Sequence, residues 1–518
     1  MKSNFCRLQG STNLFSVFYT FCLALGIACA FTLLPSAQSF YKLILNASTK
    51  GVFLPVLWLF VGVIIVYLYR LFKLRNESNA KRIYLEVFVW AFIPRIACTL
   101  LLPEYIPTSD FKNYLLYGQY MVQGQYSKVA DIVSQYRMPK MGGLAVINGF
   151  LSTLFSASVD GYQMANCVIT ALIAVFIYKL AVPVGKGCAL GAALLYAVYP
   201  GNIISTQVTS NYHAATLAAL AAVYAWNKAM SYSAAPKSMK AAIGAGCLFV
   251  LSNFIHPSVI IFVLAVVLHG FLRCFWEEGG CKQKIKLWFC NTGIVFLCLL
   301  LLTPTTLKVL QAKGIIHNTE ETTILFKIVI GLNQETEGRY AAEDSRIIRS
   351  FPKEEQSAKA MEIIKSRVSN PKEVLSLLVK KFDYTWFAED GYFWWYRAGQ
   401  TAQLQEHLKE YPNDQYAKHQ LDKLSKICSA ASNVDVLFLH GCYFLAVIGL
   451  ICKLCRKKFT ELDLFVIIML GWMTIYLFIE VQSRYRYSAM PALMVIAAYG
   501  ASCGFTQIRR LINKNKGR

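Results

Sequence analysis

Long apolar segments separated by short polar turns dominate the chain. Stretches of about 20 apolar residues suffice to cross about 30 Å of hydrocarbon. They recur near 13–33, 52–72, 83–102, 161–182, 187–203, 205–227, 241–256, 258–275, 287–307, 435–453, 462–480 and 488–505. About twelve such segments predict an all-α polytopic membrane protein. The first lacks the small-residue cleavage site of a signal peptide and is taken as a span. Arg95 is the obvious ionisable residue deep within one.

Two intervals, 103–160 and 308–434, are too long and too polar to be simple connectors. They divide the chain into an N-terminal membrane module (1–307, including the loop 103–160), a soluble domain (308–434) and C-terminal membrane helices with a tail (435–518). In the first interval Ser109 is placed to cap a helix. Phe111, Tyr114, Leu115, Tyr117, Met121 and Val122 then line one face, which suits a helix lying in the membrane interface. In the second, Asn370-Pro371 reads as an N-cap followed by Pro at the first helical position. A polar helical pattern over 401–428 is interrupted at Tyr411-Pro412-Asn413-Asp414. The aromatic run 382–396 reads as an interfacial anchor, with a sugar-stacking platform as the alternative.

Composition supports the membrane assignment, with 56% hydrophobic residues and mean hydropathy +0.43. The net charge of +23 gains meaning from its distribution. Loops 70–82, 179–186, 228–240, 273–286 and 453–458 carry most of the short-loop Lys and Arg, including Arg70, Lys73, Arg75, Lys81 and Arg82. Turns near 200–212 and 256–258 carry none. This bias predicts both termini in the cytoplasm and both long intervals outside. No basic strip interleaved with aromatics marks a nucleic-acid surface, so DNA and RNA are excluded as partners. The large outer interval holds only Cys428, which argues against a disulfide framework. Cys452 and Cys455 have CxxC spacing without a second ligand pair and are read as structural.

Two polar stretches are expected to face each other at the outer surface. Asp110 follows the third span, in the first turn of a helix where the macrodipole favours a carboxylate. Glu480, Arg484 and Arg486 lie between the last two spans. Arginine presents a planar fork that holds phosphate oxygens, and an outer pair runs against the positive-inside bias, so a specific anion is expected. Glu480 is placed to orient an arginine. His256 and Asn211 lie at two other outer turns, and Lys381 adds a candidate phosphate contact beside the aromatic run. No nucleotide-binding loop of the G-x-x-x-x-G-K-[ST] type and no H-E-x-x-H occurs. An outer-face transferase has no supply of ATP or nucleotide sugars, so its donor must arrive activated, as on a polyprenyl phosphate.

Several segments together resemble the GT-C superfamily of membrane glycosyltransferases, in the branch of protein O-mannosyltransferases and lipid A aminoarabinose transferase. They are Ser109-Asp110-Phe111 with Tyr114, Tyr136-Arg137-Met138-Pro139, Asn166, the run from Gly331 to Tyr340, and Glu480 through Arg484-Tyr485-Arg486 with Pro491. The resemblance covers most of the chain and rests on order and topology. It implies a sugar transferred with inversion from a polyprenyl-phosphate donor to an acceptor hydroxyl, with Asp110 as general base and Arg484 and Arg486 on the phosphate. Tyr485, Glu480, Lys381, Arg137, His256 and Asn211 become the remaining substrate contacts. No metal ligand is assigned and no cofactor is firmly implied; a divalent ion stays open. The acceptor is a glycan, lipid or protein, the setting a bacterial plasma membrane with the active site outside. The chain departs from the family in having Asn211 where many members are acidic and His256 where they carry a basic residue. Glu104 and Asp131 are the candidates for a second acidic residue in the first outer loop. Alternatives are a polysaccharide polymerase or ligase using a lipid pyrophosphate, and a transporter or flippase, which would need ionisable residues inside spans.

Overall fold

The computed structural model describes residues 2–33, 79–232, 235–276, 281–319, 321, 323 and 325–516, and among these the secondary structure is helical with no strand. Among the described residues, seven helices are long and apolar enough to cross a membrane: Ala80–Leu101, Val159–Ala181, Ala235–Ile255, Pro257–Trp276, Lys282–Ala312, Gln415–Arg456 and Ser483–Phe505. Shorter apolar helices cover Thr12–Ala28, Met141–Phe155, Lys186–Val198 and Asp463–Phe478. The protein is thus a polytopic helical membrane protein. The predicted span 52–72, with Arg70, Lys73 and Arg75, lies outside the described residues.

The chain departs from the expected segments where local chemistry intervenes. The segment expected as 187–203 ends as a helix at Val198, because Pro200 disfavours helical backbone at Tyr199, which is extended at φ −64° and ψ 117°. A six-residue helix, Pro200–Ser205, follows, and the next long helix starts only at Tyr212. Arg95 explains itself at this break. Its guanidinium donates to the carbonyls of Ala197 (3.0 Å) and Tyr196 (3.2 Å), the groups a helix end leaves without partners. Arg95 therefore seals a helix terminus.

The segment expected as 435–453 is the second half of one helix, Gln415–Arg456. Asp414 caps its start, accepting from the Ala417 N–H, and no Gly or Pro interrupts it before Gly441. At 1.5 Å per residue it is about 63 Å long, about twice a hydrocarbon core, so it carries the polar 415–434 stretch straight into the membrane. It packs against Met490–Lys516, and the two backbones touch at Gly449 and Gly500. A Cβ on Gly449 would lie 2.7 Å from the Ile496 carbonyl, so only small residues allow this crossing.

Outside this bundle, Leu325–Gly331, Ala342–Ser350 and Lys353–Arg367 enclose a small core of Phe326, Val329, Ile330, Ile348 and Ala360. Asn370 caps Pro371–Trp386 as expected, its side chain accepting from the Lys372 N–H. The aromatic run does not lie flat on a surface. Trp386, Phe387, Tyr392, Phe393 and Tyr396 are buried, and Trp394 is half-exposed. Ser109 does not cap either. The helix is Ser109–Val122, preceded by extended Thr108 with no side-chain cap. Ser109 itself sits at φ +51°, a left-handed backbone that a non-glycine residue adopts at a cost. That strain lies immediately before Asp110.

Candidate functional site

The strained turn at Ser109 presents Asp110 to the turn between the last two helices. The Asp110 Oδ2 lies 3.7 Å from Arg484 Nη2, a contact between opposite ends of the chain. The Asp110 side chain is 35% exposed and that of Arg484 only 6%, so the pair opens on the carboxylate side. Tyr136 donates to Asp110 Oδ1 at 3.2 Å, and Asn113 Nδ2 donates to the Tyr136 oxygen at 2.6 Å. Burial, and then the Asp110 charge, push the Tyr136 phenol up to about 12. It stays protonated and remains a donor to the carboxylate.

Three aromatic rings hold the Arg484 guanidinium: Phe111 at 4.7 Å, Trp395 at 4.8 Å and Tyr485 at 5.6 Å. Such contacts orient a cation without consuming its N–H donors. Arg484 Nε has no hydrogen-bond partner. A buried guanidinium with a free donor and a carboxylate beyond hydrogen-bond length is suited to an anion.

The neighbouring candidates form a supporting shelf. Tyr485 donates to Glu480 Oε1 at 2.9 Å, and Lys327 Nζ donates to Glu480 Oε2 at 2.6 Å. Glu480 therefore orients Tyr485, not an arginine. The Tyr485 ring stacks on Tyr212, which also packs against the His256 ring at 4.2 Å. His256 Nδ1 accepts from the Ser258 N–H. Burial, then the charges of Lys327 and Arg484, hold its imidazole down at about 3, so it is neutral at ordinary pH. Asn211 Nδ2 donates to the Ile255 carbonyl at 3.0 Å, closing the end of Ala235–Ile255. An acidic residue there would lack that donor, a physical reason for Asn at this place.

Two expected phosphate ligands are placed elsewhere. Arg486 is fully buried and donates through Nη1 to the carbonyls of Thr385 (3.1 Å) and Ala388 (2.7 Å). Its Nη2 lies 3.7 Å from Asp390 Oδ2 and 3.6 Å from Asp435 Oδ2. In the 3-10 turn Ser483–Ala489, residues two apart point about 120° away from each other, so the two arginines diverge. Lys381, 1% exposed, donates to the carbonyls of Gly331 (2.6 Å), Leu477 (2.6 Å) and Ile479 (2.9 Å). Burial pulls its pKa down to about 7, while three acceptors match the three protons of the charged form. It pins the chain rather than meeting a substrate. Arg137 adopts the left-handed cap after Tyr126–Tyr136 and donates to the Arg349 carbonyl at 3.3 Å. Arg349 returns bonds to the carbonyls of Gln135 and Tyr136, so the pair fixes the segment bearing Tyr136.

Asp131 does not join Asp110; it pairs with His317 at 2.8 Å on the exterior. Among the described residues no group of three His, Cys, Asp or Glu is arranged to hold a metal ion. Asp390, Asp435 and the role of Trp395 escaped the sequence reading. The signal for Asp390 was Asp-Gly opening an aromatic helix, a recognisable N-cap pattern.

Residues 163–504 match the model of a family described as conserved hypothetical integral membrane proteins. The chain belongs to that family. The matched segment includes Arg484, Arg486, Asp390 and Asp435, while Asp110 precedes it. No curated protein matches the chain.

Proposed function

We propose that this membrane protein is an inverting glycosyltransferase that moves a sugar from a polyprenyl-phosphate donor to an acceptor hydroxyl. One observation carries the proposal: a one-third exposed carboxylate facing a buried, aromatic-held guanidinium in the turn between the last two helices. Asp110 takes the proton of the acceptor hydroxyl as its oxygen attacks the anomeric carbon. The bond from that carbon to the phosphate oxygen breaks, and the electron pair leaves with the lipid phosphate. Arg484 receives the charge that builds there, and so favours the transition state over the ground state. A single displacement inverts the anomeric centre. With Arg486 and Lys381 engaged inside the protein, one guanidinium is left for the anion, which suits a monophosphate better than a pyrophosphate. Tyr136, itself ordered by Asn113, keeps Asp110 turned toward the opening.

The topology that goes with this chemistry has about twelve spans, both termini in the cytoplasm and the site on the outer face of a bacterial plasma membrane. The donor's hydrocarbon tail then stays in the bilayer while its phosphate reaches Arg484. The acceptor is a glycan, lipid or protein hydroxyl.

The test is transfer from a panel of polyprenyl-phosphate sugars by purified protein in nanodiscs. Release of free lipid phosphate by the wild type and not by Asp110→Asn is the expected result. Release from lipid-pyrophosphate oligosaccharides alone would move the protein to the polymerase or ligase class. Release from no donor would overturn the proposal.

A further inference from the structure

The proposed chemistry leaves the buried cluster around Arg486 unused. Arg486, Asp390 and Asp435 are each at most 1% exposed on their side chains. Two carboxylates thus share one guanidinium, and the Asp390 N–H donates to Asp435 Oδ2 at 3.1 Å. Asp390 also accepts at Oδ1 from the Tyr392 N–H, as the N-cap of the Gly391–Glu410 helix. Its other oxygen faces Arg486 and receives the Tyr199 hydroxyl at 3.4 Å. Buried ion clusters of this kind rarely add net stability over apolar packing, so some gain in specific geometry is the natural explanation.

That geometry converges on Arg484 by three routes. Arg486 fixes the turn Ser483–Ala489 only two residues from Arg484. Asp390 caps the helix bearing Trp395, one of the rings that holds the Arg484 guanidinium. Between them Gly391 lies directly beneath the turn: a Cβ there would meet Ser483 Oγ at 3.0 Å, the Arg484 backbone nitrogen at 3.2 Å and Arg484 Cβ at 3.4 Å. The backbone of Arg484 and the ring beneath its guanidinium are therefore set by the same buried charges.

We infer that Asp390 and Asp435 are positioning residues that, through Arg486 and the capped helix, aim Arg484 at Asp110. This rests on the proposed transferase chemistry and adds to it a pair of carboxylates that never touch substrate. Asp390→Asn is the sharp variant, because Asn caps a helix as well as Asp and only the charge on Arg486 is lost. Gly391→Ala is the companion, which keeps every charge and pushes on the Arg484 backbone.

The experiment measures binding of a fluorescent polyprenyl phosphate and steady-state transfer for wild type, Asp390→Asn, Asp435→Asn and Gly391→Ala, each monodisperse in nanodiscs. Each variant is expected to lose about 10²-fold in kcat/KM, the usual effect of displacing a reacting group by an ångström, with weaker probe binding. Asp435→Glu, which restores the charge, should recover part of the loss. Unchanged binding and kcat/KM in folded Asp390→Asn and Gly391→Ala would overturn the positioning role while leaving the transferase assignment standing. If Asp390→Asn fails to fold, Gly391→Ala alone decides. A wild type that neither binds the probe nor transfers sugar would instead overturn the transferase assignment.

Discussion

Arg484 and Arg486 stand two residues apart and live in different worlds. Arg484 rests on three rings, has a free Nε and faces a single carboxylate that is one-third exposed. Arg486 is enclosed by two carbonyls and two carboxylates, none of them open to solvent. Aromatic faces orient a cation while leaving its donors for a ligand, whereas Arg486 spends Nη1 on two carbonyls and, although its Nε and Nη2 also lack a hydrogen-bond partner, is shut away with two buried carboxylates. The same residue type is thus proposed as an anion receptor in one place and serves as a structural bolt in the other. Environment, more than residue identity, assigns the role.

Breaking the receptor side should give the largest change. Asp110→Asn keeps shape and removes the base, so transfer should fall by about 10²–10⁴-fold. Thermal midpoint and membrane insertion should stay as in the wild type. A variant that retains wild-type turnover would remove Asp110 from the chemistry. Breaking the bolt should act on folding as well as on the aim of Arg484. Arg486→Ala leaves two buried carboxylates without their counter-charge and should destabilise by about 3–5 kcal/mol, seen as lower yield and a lower unfolding temperature.

A smaller loss is expected at Lys381, the second internal cation. Lys381→Met leaves the carbonyls of Gly331, Leu477 and Ile479 without a donor, at about 1–3 kcal/mol for each one left dry. Turnover per folded molecule should be nearly unchanged, and a selective kinetic defect would make Lys381 a substrate ligand after all. The smallest effect sharpens the contrast through His256. Its imidazole is held at about 3 against an ordinary 6.5, so the unfolded chain takes up a proton first as pH falls. The stability that neutral His256 supplies is present above 6.5 and is lost on acidification toward 3. Arg484→Ala removes one of the positive charges holding it down, so the acid loss should become shallower, whereas no such change is expected from altering exterior lysines. Unfolding temperature measured across pH reads this directly.

The membrane architecture was legible because apolar runs of span length are a strong signal. Asp110 and Arg484 were legible as well, since each follows a span at a polar turn. What escaped was direction and context. Nothing in Arg-Tyr-Arg says which arginine turns inward; that depends on the 3-10 turn and on Asp390 and Asp435, remote in sequence. Asp435 opens the expected span 435–453, and the continuous Gln415–Arg456 helix erases that boundary and buries it mid-helix. The aromatic run suggested an interface, but helix capping at Asp390 rotates most of it into the protein and leaves Trp395 beneath Arg484. Residue type predicts a cap at Ser109, yet its left-handed backbone makes it a strained turn before Asp110.

The most direct test of the receptor-and-bolt account is binding of a fluorescent polyprenyl phosphate to Arg484→Ala and Arg486→Lys, compared at equal folded fraction in nanodiscs. Arg484→Ala should abolish saturable binding with an unchanged unfolding temperature at neutral pH, and Arg486→Lys should keep saturable binding at reduced affinity while unfolding at lower temperature. Wild-type affinity in Arg484→Ala would contradict the account.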